Sequence, residues 1–253
     1  RDACYNNRSN AFDVPVWGLY MTNLDRGPVN AFLSRPPAGW VLSTSTNTLE
    51  GVDVWREYFF PVNTDVARLR VFFRNPGPAT SNLSAYFRSD LGSDSNTKVI
   101  RTSVPGVTTI STNTMWSISW DQSPTGDPVN TFVFYGTNAL KPIGQGFVVG
   151  MYIYSNRFEF PVPAGATRQL MFFNEISLST NAAVSNVAMF QQSAMWTNGL
   201  WLGLESDAAR ILNFQLGCLF LLGTNGAGIA SGDPANRNAG TDFGVVLTNQ
   251  ART

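Results

Sequence analysis

The sequence of 253 residues contains no histidine. Histidine is the side chain whose ordinary pKa lies nearest neutral pH, and it is the most frequent metal ligand in proteins. Its absence excludes Ser-His-Asp and Cys-His catalytic pairs and zinc sites of the HExxH type. Charged residues of all kinds make up only 13% of the chain. The composition therefore favours a structural or binding protein over an enzyme.

Lysine is nearly absent as well: the chain contains only Lys98 and Lys141, against fifteen arginines. Lysine on an edge strand commonly prevents that strand from pairing with another chain. The scarcity of lysine therefore favours sheet edges that are covered in an assembly. The alternative explanation is a compositional bias toward arginine. The 17 basic and 17 acidic residues give a net charge of zero. This balance argues against a nucleic-acid partner, which needs a basic surface, and it lowers the repulsion between copies of the chain.

Cysteine occurs twice, as Cys4 and Cys218. The two thiols are predicted to form one disulfide between the N-terminal segment and a late strand, the alternative being two buried free cysteines. The sequence starts at Arg1 rather than Met, which we interpret as the result of signal-peptide removal. That interpretation predicts a secreted protein, extracellular or at the cell surface, where a disulfide persists.

Long hydrophobic runs are also missing. The longest, residues 216–222, has the length of a strand and falls well short of the roughly 18 to 20 apolar residues that a membrane helix needs. We therefore predict a protein that does not span a membrane.

Short alternating or apolar runs, separated by Gly, Pro, Asn and Ser, fill most of the chain. Residues 66–74 alternate most clearly, and the turn at 75–78 predicts a hairpin with residues 83–87. A second hairpin is predicted around the Pro163-Ala164-Gly165 turn. Residues 182–192 fit a short helix, whereas 200–204 and 209–222 fit strands. We predict an all-β fold: a large antiparallel sandwich, an extended super-sandwich or a jelly roll, with little helix.

Composition divides the chain into four predicted parts. These are an N-terminal arm (1–13), a β-sandwich domain (14–222), a glycine-rich linker loop (223–240) and a C-terminal strand (241–253). The last part can act as a donor strand that adds to a neighbour's sheet edge. Its apolar residues are Phe243, Val245, Val246 and Leu247. An ordinary closing strand of the same domain is the alternative, and the pattern slightly favours it.

Two groups of residues are candidate sites. Asp90, Asp94 and Asn96 surround a glycine and carry the oxygen donors that calcium prefers, although the spacing is not that of an EF-hand and a turn is the favoured reading. Calcium is the only cofactor that the sequence suggests.

Trp196 and Trp201 flank the Asn198-Gly199 turn and are candidate aromatics for stacking on a glycan or for a protein interface.

Acidic residues do not suggest catalysis. A glycosidase needs two carboxyl groups roughly 5 to 10 Å apart, and the five glutamates are scattered along the chain. We therefore predict no catalytic residues and no enzymatic activity.

A motif series within residues 67–176 resembles a loosely defined group of secreted bacterial proteins, most of them uncharacterised. It comprises Asn75-Pro76, the stretch SDLGSDSNT at 89–97, a strand with Trp116 or Trp120, GDP at 126–128, and VPAG-TR-LMFF at 162–173. The resemblance covers less than half of the chain. It implies an extended extracellular β-sandwich and no catalytic residues.

Taken together, these features predict a secreted structural protein that self-assembles into a fibre, sheath or layer, with copies of itself as partners. The alternative is a monomeric carbohydrate-binding or adhesive module whose partners are glycans. A viral jelly-roll coat subunit is a further alternative, although an arm with only Arg1 and Arg8 carries little charge for binding a genome.

Overall fold

A computed structural model describes residues 14–21, 30–62, 64–90, 97–121, 128–148, 153–190, 199–204 and 207–215. These residues form strands for the most part. The strands are β1 (Val14–Met21), β2 (Ala31–Ser34), β3 (Gly39–Thr44), β4 (Asn47–Leu49), β5 (Val52–Pro61), β6 (Val66–Arg74), β7 (Ser81–Asp90), β8 (Thr97–Thr102), β9 (Trp116–Asp121), β10 (Val129–Val133), β11 (Gly144–Val148), β12 (Ile153–Val162) and β13 (Thr167–Ser177). One helix, α1 (Thr180–Asn186), continues into a 3₁₀ turn, Val187–Phe190, and a second 3₁₀ turn covers Ala208–Arg210.

Two antiparallel sheets form a sandwich, as the sequence predicts. The small sheet has the order β1-β7-β12-β11, and the large sheet has the order β2-β3-β5-β6-β13-β10-β9-β8, with β4 also paired to β5. Within the described residues, no helix has the length and hydropathy needed to cross a membrane.

The core between the sheets is rich in aromatic rings. Phe73 of the large sheet packs edge-on against Phe160 of the small sheet, with 5.1 Å between ring centroids. Phe172 of the large sheet lies 4.9 Å from Phe87 of the small sheet, with the two rings tilted at 55°. Alternation along β6 explains this arrangement, because Leu69, Val71 and Phe73 all belong to this core. Many of the aromatic and β-branched side chains of the sequence therefore fill the space between the two sheets.

The two predicted hairpins are wrong. β6 pairs with β5 and β13, whereas β7 pairs with β1 and β12 in the other sheet. The turn at 75–78 and the turn at 163–166 are therefore corners where the chain passes from one sheet to the other. Backbone hydrogen bonds join the two corners, from Asn75 N to Ala166 O at 3.0 Å and from Gly165 N to Asn75 O at 2.9 Å.

The outer face of the large sheet is covered by the α1 region and by residues 199–204 and 207–215. Phe173 stands at the centre of this second core, with Phe190, Trp201 and Phe214 around it at centroid distances of 5.6, 6.3 and 5.4 Å. The helix predicted within 182–192 is confirmed. The strands predicted at 200–204 and 209–222 are not found in the described part of those segments, where turns replace them.

Polar side chains attach this covering layer to the sheet. Asn213 accepts a hydrogen bond from Met171 N at 2.8 Å and donates to Phe134 O at 2.8 Å. Glu175, which is 1% exposed, accepts hydrogen bonds from Thr131, from Asn186 of α1 and from Ser177. Because Asn213 and Glu175 are buried, leaving either side chain without a partner would cost free energy, so these bonds fix the position of the layer on the sheet.

Candidate functional site

A cleft of about 420 Å³ opens between the covering layer and one end of β9 and β10. Its lining combines aromatic rings, aliphatic side chains and a few neutral polar groups. The described lining residues are Met115, Trp116, Val133, Tyr135, Gly136, Thr137, Val187, Phe190, Trp201, Phe214 and Gln215. A volume of this size lies in the range of small-molecule sites, which are mostly apolar with a few placed polar groups.

The floor of the cleft comes from the sheet. Trp116 and Val133 are direct cross-strand partners on β9 and β10, so their side chains share one face. The chain then leaves β10 through Tyr135, Gly136 and Thr137. A Cβ atom on Gly136 would lie 3.0 Å from Cδ1 of Phe214, so glycine at this position lets the loop approach the opposite wall.

The opposite wall comes from the covering layer. Trp201 packs edge-on against Phe214, with ring centroids 6.1 Å apart at 78°. Arg68 holds the segment that carries Trp201, since its guanidinium donates to Leu200 O at 2.7 Å and to Leu202 O at 2.8 Å. The contacts of Arg68 thus hold the wall that carries Trp201 against the sheet.

Neutral polar groups accompany the aromatic rings. The Tyr135 hydroxyl donates to Thr112 O at 2.9 Å, and burial raises the pKa of Tyr135, so the phenol stays protonated at neutral pH. Gln215 donates from Nε2 to Asn138 O at 2.7 Å. Thr137 is exposed beside these two residues. The hydroxyl oxygens of Tyr135 and Thr137 can also accept hydrogen bonds from a ligand.

No charged side chain is among the described residues that line the cleft. The buried charges lie elsewhere on the same sheet face, where Arg70 pairs with Glu57 at 2.6 Å and with Asp207 at 2.7 Å. A charged ligand would therefore enter this cleft without an opposing charge from these residues, at a considerable cost in desolvation.

Trp201 is the one predicted glycan or interface aromatic that the structure describes. It lines the cleft but is only 1% exposed, so it does not form the exposed platform expected from its position beside a turn. Trp196 lies outside the described residues. No motif in the sequence singles out Tyr135, Phe190 or Phe214, because these residues come together only when distant segments fold onto β9 and β10.

The other predicted sites are not brought together. Asp90 is the last residue of β7, where its backbone pairs with Val14 and Ile153; Asp94 and Asn96 lie outside the described residues. No cluster of potential metal ligands occurs in the described part of the chain, and the calcium site stays a prediction. Cys4, Cys218 and the candidate donor strand with Phe243, Val245, Val246 and Leu247 also lie outside it, as do the predicted arm and linker.

Comparisons with known proteins give structural likeness only. No family model and no curated protein matches the chain. Similar solved structures include a provisionally assigned kojibiose phosphorylase from the human microbiome (8% identity, TM-score 0.45, 74% of this chain and 26% of that one). A provisionally assigned aldose 1-epimerase from Klebsiella pneumoniae has 10% identity and a TM-score of 0.40, over 66% of this chain and 57% of that one.

A third similar structure is the GH36 alpha-galactosidase AgaA from Geobacillus stearothermophilus, with 12% identity and a TM-score of 0.41. The match covers 70% of this chain and 30% of that one. The chain thus spans well under two thirds of each of these proteins. At these TM-scores the likeness assigns neither a site nor an activity to this chain.

Proposed function

We propose that this chain is a carbohydrate-binding module that holds a neutral sugar in the aromatic cleft. The observation that carries the proposal is the composition of the cleft lining, in which the half-buried ring of Trp116 and the buried rings of Tyr135, Trp201 and Phe214 accompany the neutral polar groups of Thr137 and Gln215. A sugar ring has apolar C–H faces and a rim of hydroxyl groups. Aromatic rings suit the faces, and neutral donors and acceptors suit the rim.

The proposal specifies binding without hydrolysis. Glycoside hydrolysis uses a pair of carboxyl groups on either side of the scissile bond, and the described lining residues include neither aspartate nor glutamate. The same lack of charge favours uncharged sugars over sialylated or sulfated ones. We therefore propose a binding protein rather than an enzyme, with glycans as the partner.

The test is a binding screen against neutral and acidic glycans, followed by titration of the best ligand with Trp116→Ala. We expect a neutral glycan to bind and the variant to raise its Kd at least tenfold, because the variant removes a partly buried ring from the cleft floor. Trp40→Ala is the matched control, since Trp40 is 40% exposed and is not part of the cleft lining. Its Kd should equal that of the parent protein.

A second variant keeps the test decisive if Trp116→Ala folds poorly. Thr137→Val preserves the shape of an exposed side chain and removes only its hydroxyl, so it should weaken binding while leaving Tm unchanged. Binding restricted to acidic glycans, or equal affinity in the parent protein and both cleft variants, would contradict the proposal.

Self-assembly into a secreted fibre, sheath or layer is the second candidate function. The donor strand expected to drive it lies outside the described residues. One described feature favours association of some kind, namely the exposed apolar edge of the large sheet at β2.

A further inference from the structure

The two edges of the large sheet are built differently. β8 carries exposed Lys98 and Arg101, and an irregularity in register lies between Val99 and Arg101. Charges and bulges are the usual means by which an edge strand avoids pairing with another chain. β2 has neither: its four residues are uncharged and exposed, and Phe32 and Leu33 are 65% and 63% exposed. Within the described part of the chain, the β8 edge is protected and the outer side of β2 has no strand partner.

The backbone of β2 shows which groups face outward. Ser45 N donates to Asn30 O at 2.9 Å, and β2 follows β3 in the register that pairs Ala31 with Thr44. Hydrogen-bonded positions alternate along an antiparallel pair, so Asn30, Phe32 and Ser34 point their backbone groups at β3. The N–H and C=O groups of Ala31 and Leu33 therefore point away from the sheet. Among the described residues, no strand pairs with that side.

We propose that β2 pairs antiparallel with β2 of a second copy of this chain, about a two-fold axis normal to the sheet. Such an axis keeps the same faces of both sheets together, so a residue can lie opposite itself. The outward N–H and C=O groups of Ala31 then form hydrogen bonds with the C=O and N–H groups of Leu33 in the second copy. By symmetry, Leu33 of the first copy pairs in the same way with Ala31 of the second. Phe32 lies opposite Phe32 at a site without backbone hydrogen bonds, where cross-strand side chains come closest.

The charge pattern fits a second copy as the occupant. β2 is neutral, so the paired strands bring no like charges together. Arg35, the described cation that follows β2 directly in the sequence, has its guanidinium 4.8 Å from the centroid of the Trp40 ring. In the proposed register the two Arg35 residues are six positions apart along the ladder, about 20 Å, which exceeds the screening length at physiological salt.

The pairing produces a closed dimer. A two-fold contact uses the same edge on both copies, and the remaining edge of each large sheet, β8, is the protected one. The proposed assembly therefore ends at two chains and differs from the fibre expected from the sequence. It does not depend on the aromatic cleft.

The first test is analytical ultracentrifugation of the full chain over a range of concentrations, with Leu33→Lys and Ile143→Lys compared. Ile143 is 52% exposed and lies outside β2, so it is a matched apolar-to-lysine control. We expect a monomer–dimer equilibrium whose Kd rises at least tenfold with Leu33→Lys and does not change with Ile143→Lys. A parent chain that stays monomeric at 100 µM, particles larger than a dimer, or equal effects of the two variants would overturn the proposal.

The second test separates strand pairing from general hydrophobic association. Ala31→Pro keeps Phe32 and Leu33 and removes only an outward N–H, which edge strands tolerate, so the fold should persist and the dimer should be lost.

In a background with both native cysteines replaced by serine, Phe32→Cys should form an intermolecular disulfide and Ala31→Cys should not, because only residue 32 lies opposite itself. Dimerisation that survives Ala31→Pro, or equal cross-linking at both positions, would show that β2 does not pair in this way.

Discussion

At the scale of single residues, two buried arginines organise the outer face of the large sheet. Arg68 and Arg70 are 3% and 6% exposed. Arg68 binds carbonyl groups of the 199–204 segment and lies 4.6 Å from the ring of Phe59. Arg70 joins Glu57 of the neighbouring strand to Asp207 of the covering layer. Two carboxylates therefore compensate the buried charge of Arg70, whereas the named contacts of Arg68 are backbone carbonyls and an aromatic ring.

Replacing Arg70 should therefore destabilise the fold strongly. Arg70→Met leaves the carboxylates of Glu57 and Asp207 without their common cation, and breaking a buried ion pair typically costs about 3 kcal/mol. Arg74→Met is the matched control on the same strand, because Arg74 is 55% exposed in its pair with Asp53 and such pairs contribute less than about 1 kcal/mol. Urea unfolding monitored by tryptophan fluorescence measures both. Equal losses would show that the buried network contributes no more than a surface pair.

Part of this arrangement can be predicted from the sequence. The alternation in residues 66–74 places Arg68 and Arg70 on one face and Leu69 and Val71 on the other, as observed. A strand with one charged face is usually solvated on that face, and nothing in β6 itself indicates that residues about 130 positions later cover it. The cleft cannot be predicted for the same reason, because its lining comes from two segments, 115–137 and 187–215, that are 50 positions apart at their nearest.

At the scale of elements, the two sheet-to-sheet corners depend on one side chain. Asn75 is 1% exposed; it accepts from Gly77 N at 2.9 Å and donates to Ala79 O at 2.7 Å and to Val162 O at 2.9 Å. The Asn-Pro-Gly-Pro sequence correctly predicts a turn. It does not distinguish a hairpin from a corner, because that choice depends on which strands β6 and β7 find as partners.

Asn75→Ala should open this corner. The variant removes three hydrogen bonds and leaves the Ala79 and Val162 carbonyls without this donor, so we expect a loss of about 2 to 3 kcal/mol in the free energy of unfolding. The exposed Asn82→Ala on β7 serves as the control and should change stability by less than about 0.5 kcal/mol. Chemical denaturation of both variants provides the comparison; a loss for Asn75→Ala no larger than that of the control would contradict this role.

Helix α1 depends on its N-cap in a similar way. Ser179 accepts a hydrogen bond from Ala182 N at 3.2 Å, and the 3₁₀ turn that follows α1 carries Val187 and Phe190 to the cleft. Ser179→Ala should cost about 1 kcal/mol and weaken binding of any cleft ligand. Ser185→Ala changes an exposed serine inside the same helix and should be neutral or slightly stabilising. Thermal unfolding and ligand titration of both variants check this; an undiminished Tm for Ser179→Ala would refute the capping role.

At the scale of the whole molecule, the central strands β6, β10 and β13 of the large sheet are buried on both faces. The small sheet packs on one face, and α1 with the 199–215 region packs on the other, so β6, β10 and β13 contribute side chains to two cores. This explains why these strands contain few exposed residues, a pattern more usual for central strands of layered α/β proteins than for sandwiches. The sequence predicted the sandwich correctly because strand patterns are local. It did not predict the third layer, whose turns bury their apolar residues without strand or long-helix periodicity.

The tightly packed inter-sheet core should make stability fall in alkaline solution. Burial raises the pKa of Tyr154 to about 12 from an ordinary value of 10.0, and the hydrogen bond from Ser117 partly opposes the shift. Burial also raises the pKa of Tyr58. Between pH 10 and 12 the unfolded chain releases protons that the folded chain retains, so the free energy of unfolding decreases as pH rises. The Tyr154 contribution to that decrease is about 2 kcal/mol by pH 12.

Tyr154→Phe isolates this contribution. The variant loses the hydrogen bond from Ser117, 3.1 Å long in the parent chain, so it should be less stable than the parent at pH 8. Because it has no phenol to titrate at this position, its stability should decline less steeply above pH 10, and the difference between the two proteins should narrow. Urea unfolding at pH 8, 9.5 and 11, with phenolate absorbance followed in the folded state, measures both effects. Parallel declines, or phenolate from Tyr154 near pH 10 in the folded protein, would mean that this ring is open to solvent and that the two sheets do not enclose it.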